Sequence, residues 1–222
     1  MRGSFGVGAA RVRRGWLLVA APLWLWASAA FGGVAGSVHD ASVWFGSDQV
    51  CNNCHTPHNA RAQGPLWNHA TTVATFTLYT SSTLNAVASQ PGTVSKLCLS
   101  CHDGTLGIND FGGSWTGPGG IGFVPGDRAY IGTDLRNDHP VGFTYDTALA
   151  TADGQLADPA TKTVTIGSAK SKTGTIAATL LYQGKVECAS CHDVHNIYTV
   201  GATGLVKVSM SGSSLCLQCH TK

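Results

Sequence analysis

The sequence predicts a fold of little regular secondary structure, in which short helical turns and a few β-hairpins pack around covalently attached groups. Three observations predict it. All eight cysteines fall in four copies of one short motif, large apolar side chains are sparse, and helical periodicity is faint outside the motifs. Hydrophobic residues make up 43% of the chain, but much of that is Ala and Val, with 28 glycines and only 8% aromatics. Such a composition is poor material for a dense protein core.

The N-terminal segment is set apart first. Arg2, Arg11, Arg13 and Arg14 form a basic region, Trp16 to Ala27 an apolar run of twelve residues, and Ala27-Ser28-Ala29 a small-residue cleavage signal. Twelve residues fall short of the roughly 20 needed to span a bilayer. Residues 1–29 therefore read as a signal peptide and 30–222 as a single mature domain, exported and without a membrane span after cleavage. Of the 14 basic residues four lie in the signal, leaving ten against 12 acidic ones in the mature chain. The remaining basic residues are scattered singly, so nucleic-acid binding has no support.

The motifs are Cys51-Cys54-His55, Cys98-Cys101-His102, Cys188-Cys191-His192 and Cys216-Cys219-His220. C-x-x-C-H is the attachment motif of c-type haem. Two cysteines three apart on one helical turn can each form a thioether to a haem vinyl group, and the next histidine then sits under the iron as proximal ligand. An exported chain with eight cysteines could instead be a disulfide scaffold, and paired C-x-x-C motifs could bind zinc. Neither accounts for the histidine that follows every copy. Four haem c groups per chain, each with its iron, are expected.

The copies alternate in kind. The first and third share C-x-x-C-H-x-x-H-N, and the second and fourth share L-C-L-x-C-H; a lone histidine, His39 or His139, precedes each pair. This suggests a duplicated dihaem module, about 36–110 and 137–222. Between the modules, GGSWTGPGGIG at 112–122 reads as loop. The runs TKTVTIG, TIAATLLY and GLVKVSM read as short strands in hairpins. With so little apolar bulk, the chain without haem is expected to be unfolded.

Nine histidines minus the four proximal ones leave His39, His58, His69, His139 and His195. Met210 alone could give a His/Met pair after signal removal. Histidine is plentiful enough for every iron to be bis-histidine, which leaves no open position and points to electron transfer rather than to catalysis. His58 and His195 occupy equivalent places in the repeat, as do His39 and His139, and these four are the expected distal ligands. His69, in LWNHAT, has no counterpart and is a further candidate ligand or a partner for a haem propionate. In a helical turn His55 and His58 point to the same side, with Cβ atoms roughly 5–6 Å apart. Axial ligands lie on opposite faces of a haem, so His58 is expected to reach a different iron from His55, and His195 a different one from His192.

The strings HDAS, VCNNCHTPHNA, PLWNH, KLCLSCHDGT, HPVGF and VECASCHDVHN resemble the doubled-CXXCH multihaem cytochromes. With four haems and this length, the chain is similar to the OmcE-type tetrahaem cytochromes that polymerise into extracellular filaments. The resemblance runs from about His39 to His220. It implies bis-histidine haems in a continuous stack and one axial histidine donated by the neighbouring subunit, for which His39 and His58 are candidates. It also implies a head-to-tail homopolymer at the cell surface or outside it, passing electrons to redox partner proteins or extracellular acceptors. The segment from about 146 to 187 matches nothing in this pattern and reads as surface decoration or interface. Rival readings are a soluble periplasmic electron shuttle or electron-transfer subunit, a haem reductase with one open iron, and a zinc-binding structural protein.

Overall fold

The computed structural model describes residues 3, 33–40, 42–43, 49–110, 122–201 and 204–221. It divides the chain into Met1–Ala30 and Phe31–Lys222. The signal segment read at 1–29 and the glycine-rich loop read at 112–121 lie outside the described residues, Gly3 excepted. Among the described residues no helix is long and apolar enough to cross a membrane.

Regular structure in the second unit is scant. The longest element, α1 (Thr93–His102), carries the second motif and buries Ser95, Leu99 and Ser100. Helix α2 (Thr147–Asp153) starts where the Asp146 carboxylate accepts from the Leu149 amide at 2.8 Å, and it ends at Gly154 in the left-handed conformation. Strands β1 (Thr163–Ile166) and β2 (Lys172–Thr175) form one antiparallel hairpin, with Thr163 opposite Thr175 and Ile166 opposite Lys172. The turn α3 (Ile176–Thr179) is capped by the Thr175 hydroxyl, and α4 (Cys188–Cys191) carries the third motif. A 3₁₀ turn over Cys216–Gln218 carries the fourth.

Among the described residues the expected hairpins are one rather than several. TKTVTIG does contain a strand, but its partner is the polar run KTGT. TIAATLLY instead supplies α3, because its threonine offers an N-cap and its alanines favour helix. GLVKVSM contributes only an isolated bridge, Val206 to His192.

The segment 146–187 is not surface decoration. It supplies most of the larger hydrophobic core, where Ala150, Val164, Ile166, Ile176, Leu180 and Val186 pack with Phe143, Tyr145 and Val208. Ile176 is completely buried. A smaller cluster joins Phe76, Leu99 and Leu135 beneath α1. The two helices that carry motifs two and three meet directly. Ser95 of α1 donates from its backbone amide to the Glu187 carboxylate at 3.3 Å, its hydroxyl donates to the same oxygen, and the Cys188 amide donates to that hydroxyl at 2.9 Å. Gly92 is required at this joint, since a Cβ there would lie 2.1 Å from Glu187 Oε1.

Candidate haem-binding site

Each motif begins as a tight turn in which the histidine amide bonds back to the first cysteine carbonyl: His55 to Cys51 at 2.9 Å, His192 to Cys188 at 3.1 Å and His220 to Cys216 at 2.9 Å. The second motif does the same within α1. The turn does not continue as helix past the histidine in the first and third copies. His55 pairs with Trp67 and His192 with Val206 in isolated bridges, and His192 has extended φ/ψ. The helical register expected to place His58 beside His55 is therefore absent. The two asparagines that end C-x-x-C-H-x-x-H-N, Asn59 and Asn196, both take positive φ, 55° and 52°. Asparagine tolerates that left-handed conformation better than most residues, which gives the repeated Asn its reason.

The eight cysteines are all free of disulfides. The Cys101 thiol is pushed up to about 12, by burial first and then by Cys54, Asp103 and Asp110. Cys98 Sγ donates to the Val94 carbonyl at 3.6 Å, and the interaction with Cys188 holds the Cys98 thiol up and the Cys188 thiol down. Cys191 is raised by burial, helped by Cys188 and Cys216, and Cys219 is pushed up to about 11 by burial and by Cys191. The second motif meets the third where the Cys188 amide donates to the Ser95 hydroxyl of α1 at 2.9 Å.

The histidines meet in twos. Ring centroids lie 6.1 Å apart for His55 and His195, 6.0 Å for His39 and His102, and 6.4 Å for His139 and His220. Two imidazoles on opposite sides of one metal ion, bonded at about 2 Å each, have centroids roughly 6 Å apart. Proximal rings are held for that role. The Nδ1–H of His55 donates to the Pro65 carbonyl at 2.8 Å, that of His102 to Ala129 at 2.7 Å, and that of His192 to Gly204 at 2.7 Å. A carbonyl can only accept, so the proton sits on Nδ1 and the Nε2 lone pair is left for a metal. His139 is held likewise by the Pro140 carbonyl at 2.9 Å. His39 is pushed down to about 4, by burial and then by His102 and His192, and its buried Nδ1 has no hydrogen-bond partner. A neutral imidazole is the form a metal takes. These residues fit haem iron.

Two histidines of the expected ligand set remain unpaired by ring geometry among the described residues. His58 is exposed, and its backbone is turned by the Thr56 hydroxyl, which donates to the His58 carbonyl at 2.8 Å. His192 has no facing ring at the spacing of the other three pairs. His69 is 1% exposed, with Nδ1 at 2.8 Å from the Ala70 carbonyl and Nε2 at 2.8 Å from the Gly107 carbonyl. Both of its nitrogens are engaged by backbone, and Cys101 Sγ lies 3.6 Å from Nε2.

Charged groups near the cysteines carry no motif signal. Asp103, Asp110 and Glu187 are 2%, 0% and 3% exposed, and Lys207 is 5% exposed. The last is lowered by burial; its Nζ donates to the Tyr182 hydroxyl at 3.2 Å and lies over that ring. Among the described residues no group of three or more His, Cys, Asp or Glu side chains converges to hold a metal ion by protein ligands alone.

A family model described as the doubled CXXCH motif matches residues 182–222, which contain the third and fourth motifs. No curated protein matches the chain. The doubled CXXCH motif is consistent with multihaem c-type cytochromes, and it indicates covalent haem c binding and electron transfer.

Proposed function

We propose that this chain is an exported tetrahaem c-type cytochrome that conducts electrons through bis-histidine haems and assembles head to tail into an extracellular filament. The observation that carries this reading is the three imidazole pairs with centroids 6.0, 6.1 and 6.4 Å apart, together with the direct contact of the helices that hold Cys98 and Cys188. Haems attached at Cys98 and Cys188 would adjoin, as the second and third of one continuous row. When bound, each haem supplies a one-electron couple, and fully coordinated iron favours transfer over chemistry. Cys51 and Cys54 would hold the first haem between His55 and His195, and Cys98 and Cys101 the second between His102 and His39. Cys188 and Cys191 would hold the third on His192, and Cys216 and Cys219 the fourth between His220 and His139.

That assignment leaves one distal histidine, His58, and one proximal histidine, His192, without partners. Both are exposed. A neighbouring copy that inserts its His58 opposite His192 would match them, and an interface of that kind, which does not close, builds an open filament. A small net charge and a surface with few charged residues also favour association. The expected outcome is that negative-stain electron microscopy of the native protein shows filaments, and that His58→Ala gives single subunits with one iron in four open to carbon monoxide. Single subunits from the native protein, fully six-coordinate, would overturn the filament.

The same unpaired His192 favours a second reading, a haem reductase with one open iron. Substantial carbon monoxide binding to the reduced native assembly at neutral pH would select it.

A further inference from the structure

We propose that three buried carboxylates make the haem held by Cys98, Cys101 and His102 the lowest-potential centre of the chain; this rests on the reading that the four motifs carry haem. Asp103 follows His102 directly, and its carboxylate accepts from the Thr72 hydroxyl at 2.5 Å, the Thr105 amide at 2.8 Å and the Thr105 hydroxyl at 2.7 Å. Glu187 accepts from the amide and hydroxyl of Ser95, one helical turn before Cys98, and it faces that cysteine. Asp110 is fully buried with neither oxygen partnered, and its amide donates to the Gly107 carbonyl, which also meets the His69 Nε2 that lies 3.6 Å from Cys101 Sγ. An unpartnered buried carboxylate needs a nearby cation. Ferric haem carries one positive charge more than ferrous haem, so anions beside it favour the ferric state and lower the potential.

Among the described residues no other motif has three buried carboxylates beside it. The third motif shares Glu187 through Cys188, but Lys207 and Asp193 both face its surroundings and the lysine opposes the acids. Burial and Cys51, with no carboxylate, account for the raised Cys54 of the first motif. Asp158, near the fourth, is open to water and screened. Electrons moving along the row would therefore meet an uphill step at the second haem, and the height of that step would govern conduction.

The test is spectroelectrochemical titration of the intact haem-loaded protein beside Asp110→Asn and Glu187→Gln, both close in shape to the residues they replace. The lowest-potential wave is expected to rise in each variant by at least a tenfold change in the one-electron equilibrium, about 59 mV, while the highest wave stays. His39→Ala assigns the wave: carbon monoxide binding to the iron it frees should remove the lowest wave and no other. A lowest wave unmoved in both carboxylate variants, or carbon monoxide acting on a different wave, overturns the proposal. A pyridine haemochrome count keeps the two failures apart, because fewer than four haems in the unaltered protein overturns the underlying reading instead.

Discussion

A histidine can serve a metal only through a free lone pair, and the atom that decides this is its other nitrogen. In His55, His102, His192 and His139 that nitrogen is committed to a backbone carbonyl, so the ligating face is prepared by chain geometry before any metal arrives. His195 is held more loosely, with Nδ1 4.0 Å from Asp193 Oδ1. His195→Ala is expected to keep every haem attached and to open only the iron held by His55, read as carbon monoxide binding at one haem per chain. Retention of six-coordinate low-spin spectra at every haem would refute the pairing. Asn59 has a different duty, to accept positive φ. Asn59→Ala should lower stability by about 1 kcal/mol, the usual strain of a side chain in that region, whereas Asn59→Gly should not. Thermal unfolding of the two variants separates them.

Among the elements, those that carry motifs were the legible ones. C-x-x-C-H states its own turn, because the histidine amide must reach back to the first cysteine carbonyl, and four such turns were read correctly from the spacing. The scarcity of regular structure was also legible, from faint periodicity and abundant glycine. The hairpin partner was not. KTGT has no apolar alternation, and it is paired only because TVTI buries Val164 and Ile166 against the core and leaves its other side to polar company. The helical register past His55 was misjudged too, since the bridge to Trp67 is a contact between residues twelve apart that local pattern cannot show. Above all, 146–187 was undervalued. Its apolar residues are spread over two helices, a hairpin and a loop, and they converge only in three dimensions. Nine buried apolar residues packed on one another revise the expectation of an unfolded haem-free chain, and a variant with all eight cysteines replaced by alanine should keep cooperative structure over 143–208. Ile176→Ala in that background should cost about 2–5 kcal/mol and abolish the transition seen by circular dichroism. A haem-free chain without any cooperative transition would contradict this.

At the scale of the whole molecule, the two modules are not independent beads. They join where α1 meets α4, with Glu187 and Ser95 bonded across the joint and Cys98 against Cys188. This contact makes the second and third motifs neighbours. The repeat in the sequence suggests two modules but not how they join, because the junction depends on residues 92 positions apart. Which histidine faces which was equally hidden. Spacing led to the expectation that His58 and His55 serve different irons, but the helical register behind it is absent, and only the fold sets the His195 ring 6.1 Å from that of His55. All of these consequences depend on covalent haem at every motif. The pyridine haemochrome of the purified native protein, taken against its peptide concentration, measures that directly. Four haems per chain is the expected result; none, with the cysteines found in disulfides or on zinc, would contradict the account at its root.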